Sequence, residues 1–214
     1  MIFGVDTSFA NGMPDWDRAV QDERVRWVYS RCCYGTDKWD DDGSAFTLAH
    51  DACKRLGIPF SAYMFWLAWE DGAAQAQHAM QVANGRYGGN RFIVDVEEGS
   101  GLLGWGASVQ TRIVNLAATL DGIKAAIGEP MIYTNYDTWV NFFGGTDAFS
   151  GHSFIIAQYN GTPGVVDSIP GIKNIVGHQY SDGRGLSPIP GLSTPDNNVD
   201  RDVLLGGLET IARI

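Results

Sequence analysis

The sequence lacks the features that would place the chain in a membrane. No run of apolar residues approaches the roughly 18 that a membrane-spanning helix requires. The opening stretch, Met1-Ile-Phe-Gly-Val-Asp6, has no basic segment, no long apolar stretch and no small-residue cleavage site, so it is not a secretory signal. We therefore expect a chain that is made in a cytoplasm without a signal peptide and that does not insert into a membrane.

Basic residues are also scarce. Fifteen Lys and Arg stand against 25 Asp and Glu, which gives a formal net charge of −10 at pH 7. A chain this acidic repels the phosphates of nucleic acids and the headgroups of anionic membranes. No nucleic-acid partner is predicted.

Cysteine is rare, and the three residues Cys32, Cys33 and Cys53 cannot all pair within one chain. No C-x-x-C spacing occurs, and the four histidines are scattered without ligand spacing. Because neighbouring residues of a strand face opposite sides, we expect Cys32 and Cys33 to be reduced, buried thiols on opposite faces. The sequence predicts neither a metal site nor a cofactor.

Aromatic residues, by contrast, are plentiful, with seven Trp, eight Tyr and ten Phe. Such rings fill cores first, but they also stack on the faces of sugars. Four are candidate sugar platforms, although a Trp is more often a core residue: Trp66, Trp69, Trp105 and Trp139. With 214 residues, 44% of them hydrophobic, we predict one globular domain over residues 1–214, acting as a monomer.

The most informative stretch is Arg91-Phe-Ile-Val-Asp95-Val-Glu97-Glu98. Its apolar run predicts a buried strand, and Asp95 and Glu97 project to the same side because alternate strand residues share a face. Two like charges this close push their pKa values apart, so one carboxyl keeps its proton near neutral pH. A protonated carboxyl group beside an ionised carboxylate is suited to glycoside hydrolysis. On this motif alone, a strand end with two solvated acids is an equally good interpretation.

Other stretches with strand or helix patterns fill the rest of the chain. Strands are predicted at Ile2–Asp6, Val25–Arg31, Pro59–Trp66, Met131–Asn135, Phe154–Tyr159, Ile175–Tyr180 and Val199–Asp200. Helices are predicted at Trp16–Glu23, Ala45–Leu56 with Ser44 as its cap, Asp71–Asn84 and Ser108–Ile127, with a closing helix from about Asp202. The run Asp40-Asp41-Asp42 is interpreted as a solvated loop tip.

Alternating strands and helices predict an α/β fold with a parallel sheet, and eight strands in one domain suggest closure into a barrel. The later helices are expected to be short or missing. Active sites of such barrels lie at the carboxyl ends of the strands. The residues predicted at those ends are Asp6, Tyr63, Asp95, Glu97, Tyr133, Gln158 and Gln179. We expect them all to surround one mouth of the barrel.

Nearly end to end, the sequence resembles the glycoside hydrolase family 25 lysozymes, the Chalaropsis-type muramidases common among phage endolysins. The matching segments are Gly4-Val-Asp6-Thr-Ser8, Asp15-Trp16, Gly57-x-x-x-x-x-Tyr63-x-Phe65, Asp95-Val-Glu97, Ile132-Tyr133-Thr-Asn135, Ile156-Ala-Gln-Tyr159, Gln179-Tyr180-Ser181 and Val199-Asp200. Their order and spacing are specific, although no single segment is. The resemblance implies an irregular TIM-like barrel with five βα units followed by three strands with few or short helices. It also implies an acidic catalytic site made of Asp6, Asp95, Glu97 and Asp200.

The resemblance further implies cleavage of the β-1,4 bond from N-acetylmuramic acid to N-acetylglucosamine in bacterial peptidoglycan. Our hypothesis makes Glu97 the general acid, while Asp95 orients a substrate acetamido group that attacks its own anomeric carbon. Asp6 and Asp200 would tune the protonation of this pair. The expected substrate-binding residues are Tyr63, Phe65, Tyr133, Gln158 and Gln179, with Tyr133 as hydroxyl donor to the acetamido group. A direct Asp nucleophile and an inverting route through an activated water are alternatives.

Two positions depart from the family pattern. Asp202 lies close enough to compete for the late acidic position, where we expect Asp200, and His178 stands where the family usually has Trp. The resemblance implies a phage endolysin, made in the host cytoplasm and acting on the bacterial cell wall after release. The alternatives are a chitin-type N-acetylglucosaminidase, a non-catalytic peptidoglycan-binding barrel and a metal-dependent phosphodiesterase.

Overall fold

Eight strands close into a barrel in which each strand pairs with its neighbours in chain order. The computed structural model describes residues 1–38, 42–98, 106–192 and 199–212. The strands are β1 (Ile2–Thr7), β2 (Val28–Tyr34), β3 (Phe60–Phe65), β4 (Ile93–Asp95), β5 (Met131–Asn135), β6 (Ser153–Ala157), β7 (Ile175–Ser181) and β8 (Arg201–Leu204).

Helices pack outside the first half of the barrel. The α-helices are α1 (Trp16–Ala19), α2 (Gly43–Leu56), α3 (Gly72–Ala83) and α4 (Val109–Ile127). A π-helical segment, Thr138–Phe142, follows β5, and 3-10 turns lie at Phe9–Asn11 and Leu208–Thr210. After β6 the described residues contain no α-helix. This confirms the irregular TIM-like barrel, in which five strand–helix units precede three strands with few or short helices.

Strands β1 to β7 run parallel, but β8 is antiparallel to both of its neighbours. The predicted parallel sheet therefore does not extend to β8, and the predictions of a strand at Val199–Asp200 and a helix from about Asp202 are wrong. Leu204 pairs with Ile2 on β1, and Asp202 pairs with Gln179 on β7. Hydrogen bonding on two sides and burial of the inward side chains outweigh the local preference for a helix.

The end of one helix, the start of another and the start of one strand also differ from the predictions. Helix α1 ends at Ala19 instead of Glu23, and β2 begins three residues later than predicted, at Val28. Helix α2 begins at Gly43, so Ser44 is not its cap. Asp42 precedes it but makes no capping hydrogen bond with its side chain, because its carboxylate accepts from Arg31 on β2 instead. Asp42 is buried, contrary to the predicted solvated loop tip, whereas Asp40 and Asp41 lie outside the described residues.

The barrel interior is packed with side chains from alternate strand positions. This interior cluster contains Trp27, Tyr29, Tyr63, Ile93, Met131, Tyr133, Ile155, Val176, Leu204 and Ile211. Gly4 makes room for the largest of them, because a Cβ at this position would lie 2.7 Å from the Trp27 carbonyl oxygen and 2.9 Å from its ring. Trp27 stacks under Tyr29 with ring centroids 4.8 Å apart. The packed Trp27 ring therefore supports the interior tyrosines Tyr29, Tyr63 and Tyr133 from below.

A second apolar layer lies between the barrel and its helices, and it contains all three cysteines in free, buried form. The β2–β3 register shifts between Arg31 and Cys33, which leaves Cys32 at a bulge. Both neighbouring cysteines consequently join the outer layer, with their Sγ atoms 3.7 Å apart. The expectation that they face opposite sides is wrong, because a bulge interrupts the alternation of side chains.

The chain after β8 packs across the end of the barrel where the parallel strands begin. Ile211 is fully buried in the interior cluster, and its carbonyl accepts from the Arg91 N–H at 2.7 Å. The Arg91 guanidinium donates to the carbonyls of Glu129 and Pro130. With this end filled, the cleft is restricted to the opposite mouth. Across the described residues, no helix combines the length and apolar character that spanning a membrane requires.

Candidate active site

Four carboxylates meet at the mouth where the parallel strands end. Asp6 lies on β1, Asp95 is the last residue of β4, and Glu97 follows it by two positions. Asp200 precedes β8, and the antiparallel direction of β8 brings its first residues to this same mouth. All four line one cleft of about 320 Å³. The structure thus brings together the four acids that the sequence analysis singled out.

Asp95 and Glu97 form the central pair on one wall of the cleft. Burial, followed by the charge of Glu97, raises the pKa of Asp95 well above its usual range. Burial likewise raises the pKa of Glu97, against the opposing charge of Arg31. Within the described part of the chain, Asp95 Oδ1 is buried without a hydrogen-bond partner. Such a pair titrates as a unit and holds one proton near neutral pH.

This protonation suits acid catalysis at a glycosidic oxygen. A neutral carboxyl can donate its proton to a leaving oxygen, while an ionised neighbour stabilises developing positive charge or orients a polar substituent. The cleft is large enough for sugar rings and is lined by tyrosines as well as by carboxylates. Its chemistry therefore fits hydrolysis of a carbohydrate.

Asp6 and Asp200 form a second coupled pair on the other side of the cleft. Burial and then the charge of Asp200 raise the pKa of Asp6 well above its usual range. Burial, together with the charges of Asp182 and Glu97, raises the pKa of Asp200 to about 7. Because each of these two carboxyl groups affects the pKa of the other, they titrate together. Carboxyl groups with raised pKa values therefore lie on both sides of the mouth.

Gln179 on β7 connects this second pair to the tyrosines. Its Nε2 donates to Asp6 Oδ2 at 2.6 Å, and its Oε1 accepts from the hydroxyls of Tyr133 and Tyr159, each at 2.7 Å. Gln179 itself is almost fully buried. The amide is therefore held in one orientation by three partners, which fixes where both tyrosine hydroxyls lie.

The structure separates the two acids that compete for the late acidic position. Asp202 is fully buried, and its Oδ1 accepts from the Tyr29 hydroxyl at 2.7 Å. Asp200, two residues earlier, lines the cleft. Strand alternation does aim both side chains inward, but at different depths. Asp200 is thus the acid that can face a bound ligand, as expected.

Four of the five predicted substrate-binding residues line the cleft, and Gln158 does not. The four are Tyr63, Phe65, Tyr133 and Gln179. The Gln158 amide instead pairs with Asp167, donating from Nε2 to Oδ2 at 2.6 Å and accepting from the Asp167 N–H at 2.9 Å. Ile155 points into the barrel, so its alternation partners are residues 157 and 159. Tyr159 accordingly takes the cleft position that the sequence analysis had given to Gln158.

Arg31 is a cleft residue that the sequence analysis missed. It lies on β2 two positions after Tyr29, which points into the barrel. The same alternation rule that pairs Asp95 with Glu97 would have identified it. It was overlooked because the strand was predicted to end at this residue, so its side chain was not assigned to a face.

The tryptophans proposed as sugar platforms contribute little to the cleft. Trp66 and Trp139 are fully buried in the outer apolar layer, so they are core residues. Trp69 is 45% exposed but does not line the cleft. Trp105 lies outside the described residues. The aromatic lining comes from the tyrosines and Phe65 instead.

His178, which stands where the resemblance predicted Trp, has a packing role. It is fully buried, its Nδ1 accepts from the Gly164 N–H at 3.1 Å, and its Nε2 lies 2.9 Å from the Gln158 carbonyl oxygen. Since Nδ1 must accept, the proton of a neutral ring sits on Nε2 and is donated to Gln158. The ring therefore ties the β6–β7 connection to β7.

Four carboxylates that lie this close together raise the question of a bound cation. In the ranges that the structure describes, no group of three or more His, Cys, Asp or Glu residues has an arrangement that could hold a metal ion.

Comparison with known proteins agrees with this geometry. The family model described as "Glycosyl hydrolases family 25" matches residues 5–188. The match ends before Asp200, whose place in the cleft is known from the structure alone. No curated protein matches the sequence.

Several solved structures have the same fold. A bacterial lysozyme from Streptomyces coelicolor superposes with a TM-score of 0.81 at 22% identity, covering 98% of this chain and 94% of that one. A muramidase from Trichobolus zukalii gives 0.78 at 22% identity, covering 98% and 96%. The modular autolysin LytC from Streptococcus pneumoniae, solved in complex with a synthetic peptidoglycan ligand, gives 0.72 at 18% identity, covering 94% of this chain and 46% of that one.

Proposed function

This chain belongs to glycosyl hydrolase family 25, and from that premise we propose that it is a muramidase. It hydrolyses the β-1,4 bond from N-acetylmuramic acid to N-acetylglucosamine in the glycan strands of bacterial peptidoglycan. The observation that carries the proposal is the Asp95–Glu97 pair, two carboxyls with raised pKa values side by side in a sugar-sized cleft. The names of the structural neighbours, a lysozyme and a muramidase, support the choice of substrate.

Glu97 acts as the general acid in this proposal. Burial keeps its pKa raised, so the group retains a proton, yet the side chain borders the cleft and can reach a leaving oxygen. Asp95 is more deeply buried and has an oxygen without a partner among the described residues. That oxygen can accept from the N–H of a substrate acetamido group, whose carbonyl oxygen then attacks the anomeric carbon.

Tyr133 was expected to donate its hydroxyl to the substrate acetamido group, but in the unbound protein this hydroxyl already has a partner. Its hydroxyl donates to Gln179 Oε1 at 2.7 Å, so it is not free to donate to an acetamido group in the unbound protein. We propose that the substrate's carbonyl takes this hydrogen bond on binding, while Tyr159 keeps Gln179 in place through its own bond at 2.7 Å. Asp6 and Asp200 set the protonation of the cleft from the opposite side.

The experiment is digestion of purified peptidoglycan, followed by borohydride reduction and identification of the new reducing ends. Wild type should release muramic acid ends, and Glu97→Gln should be slower by about 100-fold or more, the usual contribution of a general acid. Glu98→Gln is the matched control, since this neighbour is exposed and does not line the cleft. N-acetylglucosamine ends would instead assign a glucosaminidase, and binding without cleavage would leave a carbohydrate-binding barrel.

We further propose that the protein is a single-domain monomer that acts as a phage endolysin, made in a host cytoplasm and released to the cell wall. The resemblance of its sequence to endolysins supports this biological role. Expression in bacteria with and without a pore-forming holin tests it, because lysis should require both proteins. Light scattering on a gel-filtration column tests the monomer, for which a mass of 23.3 kDa is expected.

A further inference from the structure

Arg31 is a cation held inside a cleft that is otherwise strongly acidic. Five carboxylates line the cleft, namely Asp6, Asp95, Glu97, Asp182 and Asp200. Arg184 also lines it, but its side chain is 76% exposed and pairs with Asp182 at 3.3 Å. The Arg31 side chain is only 15% exposed. A half-buried guanidinium therefore lies in the same cleft as the central acid pair.

Asp42 holds Arg31 in position from behind. Its carboxylate side chain is completely buried and accepts from Arg31 Nε at 3.2 Å and from Nη2 at 3.3 Å. The same carboxylate accepts from the Phe9 N–H at 3.3 Å, so it joins β2 to the β1–α1 connection. A two-point contact of this kind fixes the plane of the guanidinium.

Aromatic rings also pack against the guanidinium. Its central carbon lies 5.4 Å from the centroid of the Phe9 ring and 5.7 Å from that of Tyr34. Tyr34 in turn stacks on Phe65, a cleft residue, with centroids 4.6 Å apart and planes 4° from parallel. Since both rings and Asp42 restrain it, Arg31 has little freedom to move when a ligand arrives.

One edge of the guanidinium is left for a ligand. Nε and Nη2 bind Asp42, whereas Nη1 has no hydrogen-bond partner among the residues that the structure describes. Arg31 acts electrostatically on the reaction centre, because its charge lowers the pKa values of both Asp95 and Glu97. Its charge therefore lies close to where the sugar would bind.

We propose that Arg31 binds the lactyl carboxylate of N-acetylmuramic acid, and that this contact selects muramic acid over N-acetylglucosamine. The inference rests on the proposed muramidase function and adds the group that gives it specificity. The two sugars differ only by the lactyl ether on O3, which carries a carboxyl group. Asp95 on β4 and Arg31 on β2 line the same cleft, with only β3 between their strands. With Asp95 on the acetamido group at C2, we therefore place the substituent on the adjacent carbon toward Arg31.

The charge of the lactyl group depends on whether it carries a stem peptide. A free lactyl carboxylate is an anion, whereas a lactyl group that carries a stem peptide is a neutral amide. An arginine pairs more strongly with the carboxylate, so Arg31 favours glycan strands from which the peptide has been removed. The class of reaction that supplies this preferred substrate is hydrolysis of the amide between the lactyl group and the peptide.

Binding rather than turnover tests this inference. Calorimetry would compare three ligands: the disaccharide N-acetylglucosaminyl-β-1,4-N-acetylmuramic acid, its lactyl methyl ester, and N,N′-diacetylchitobiose. The first two lack the bond that the proposed muramidase cleaves. We expect wild type to bind the free acid about tenfold more tightly than the ester or chitobiose, a typical difference for one charge-assisted hydrogen bond.

The key variant removes the guanidinium without leaving a buried carboxylate unpaired. The double variant Arg31→Gln/Asp42→Asn should lose the preference for the free acid while its affinity for chitobiose changes less than twofold, and Arg31→Lys should keep part of the preference. Circular dichroism confirms folding. Equal wild-type affinities, no measurable binding of the free acid, or a preference that survives in the double variant would overturn the inference. None of these results depends on cleavage, so they are separate from the reducing-end test of the proposed function.

Discussion

The side-chain amide of Gln179 donates to Asp6 Oδ2 at 2.6 Å and so links an acid of the cleft to its tyrosines. Because an amide nitrogen can only donate, the bond fixes which end of Gln179 faces Asp6. The amide oxygen must then face Tyr133 and Tyr159, and it accepts from both. One uncharged residue therefore sets the geometry of three polar groups.

Replacing Gln179 with Leu should impair both stability and activity. The substitution keeps the approximate volume but leaves the buried Tyr133 hydroxyl without its acceptor, which costs about 1–3 kcal/mol of unfolding free energy. With Asp6 and Tyr133 no longer held, kcat should fall by about tenfold or more, as for displaced positioning groups. Urea denaturation and peptidoglycan digestion measure the two effects.

Gln158→Leu is the matched control for this prediction. Gln158 is the same residue type at the mouth of the neighbouring strand, but its amide pairs with Asp167 on the surface. We expect near wild-type kcat and a stability change within about 0.5 kcal/mol, typical of surface substitutions. Equal losses in the two variants would mean that the position of Gln179 in the cleft is unimportant.

The stability of the protein should decrease as the pH rises from about 4 to about 7. In this window Asp200, with a pKa of about 7 in the folded state, remains protonated, whereas in the unfolded chain it titrates near the ordinary value of 3.8. The folded state then binds more protons than the unfolded state, so each such group lowers stability with rising pH, by at most about 1.4 kcal/mol per pH unit.

Asp200→Asn should flatten this dependence, since Asn does not titrate. The measurement is the urea midpoint of wild type and variant at several pH values between 4 and 8. At pH 8 the variant should be the more stable of the two, because wild type must then ionise a buried group. Parallel curves for the two proteins would show that Asp200 is not the titrating group.

Alternation of strand residues predicted much of the site, and it failed where a strand end was misplaced. Asp6, Asp95, Glu97 and Gln179 reach one mouth as expected, because each lies at the end of a strand with a clear apolar pattern. Gln158 was chosen instead of Tyr159 because the face of β6 was not counted from Ile155. Counting alternate residues from Ile155 along β6 would have placed Tyr159 in the cleft from the sequence alone.

Other features depend on contacts between distant segments, which a local pattern does not contain. The direction of β8 is set by pairing with both β1 and β7, so a helix was predicted where a strand occurs. The bulge in β2 that turns Cys32 and Cys33 to one side is visible only in the β2–β3 register. The role of Asp42 depends on Arg31, eleven residues earlier, and could not be deduced from helix-capping rules.

Neutralising Arg31 should shift the pH dependence of activity to higher pH. Arg31 lowers the pKa values of Glu97 and Asp95, so Arg31→Gln should raise both. A general acid loses activity when it loses its proton, and a higher pKa moves that loss to higher pH. The alkaline limb of kcat/KM against pH should therefore move upward by a few tenths of a unit or more.

Arg55→Gln serves as the control for this shift. Arg55 pairs with Asp17 on the surface at 2.7 Å and carries the same charge far from the cleft. Its removal changes the net charge equally, but its alkaline limb should coincide with that of wild type. A similar shift in both variants would indicate a general effect of net charge instead of a local effect on Glu97.

His178 should make the protein less stable at mildly acidic pH. Burial lowers the pKa of this histidine in the folded state, where its Nδ1 accepts from the Gly164 N–H. As the pH falls below 6.5, the unfolded chain takes up a proton that the folded chain does not, so stability falls. This is opposite in sign to the effect of Asp200, and the wild-type curve combines the two.

Substitution of His178 by Phe isolates this contribution. At pH 7 the variant should be destabilised by about 1–3 kcal/mol, because the Gly164 N–H and the Gln158 carbonyl both lose a partner. Between pH 7 and pH 5 the difference between variant and wild type should shrink, since only wild type contains the buried imidazole. Its kcat on peptidoglycan should stay close to wild type, because His178 does not line the cleft. Urea midpoints at half-unit pH steps provide the measurement, and a constant difference across this range would mean that the imidazole does not titrate on unfolding.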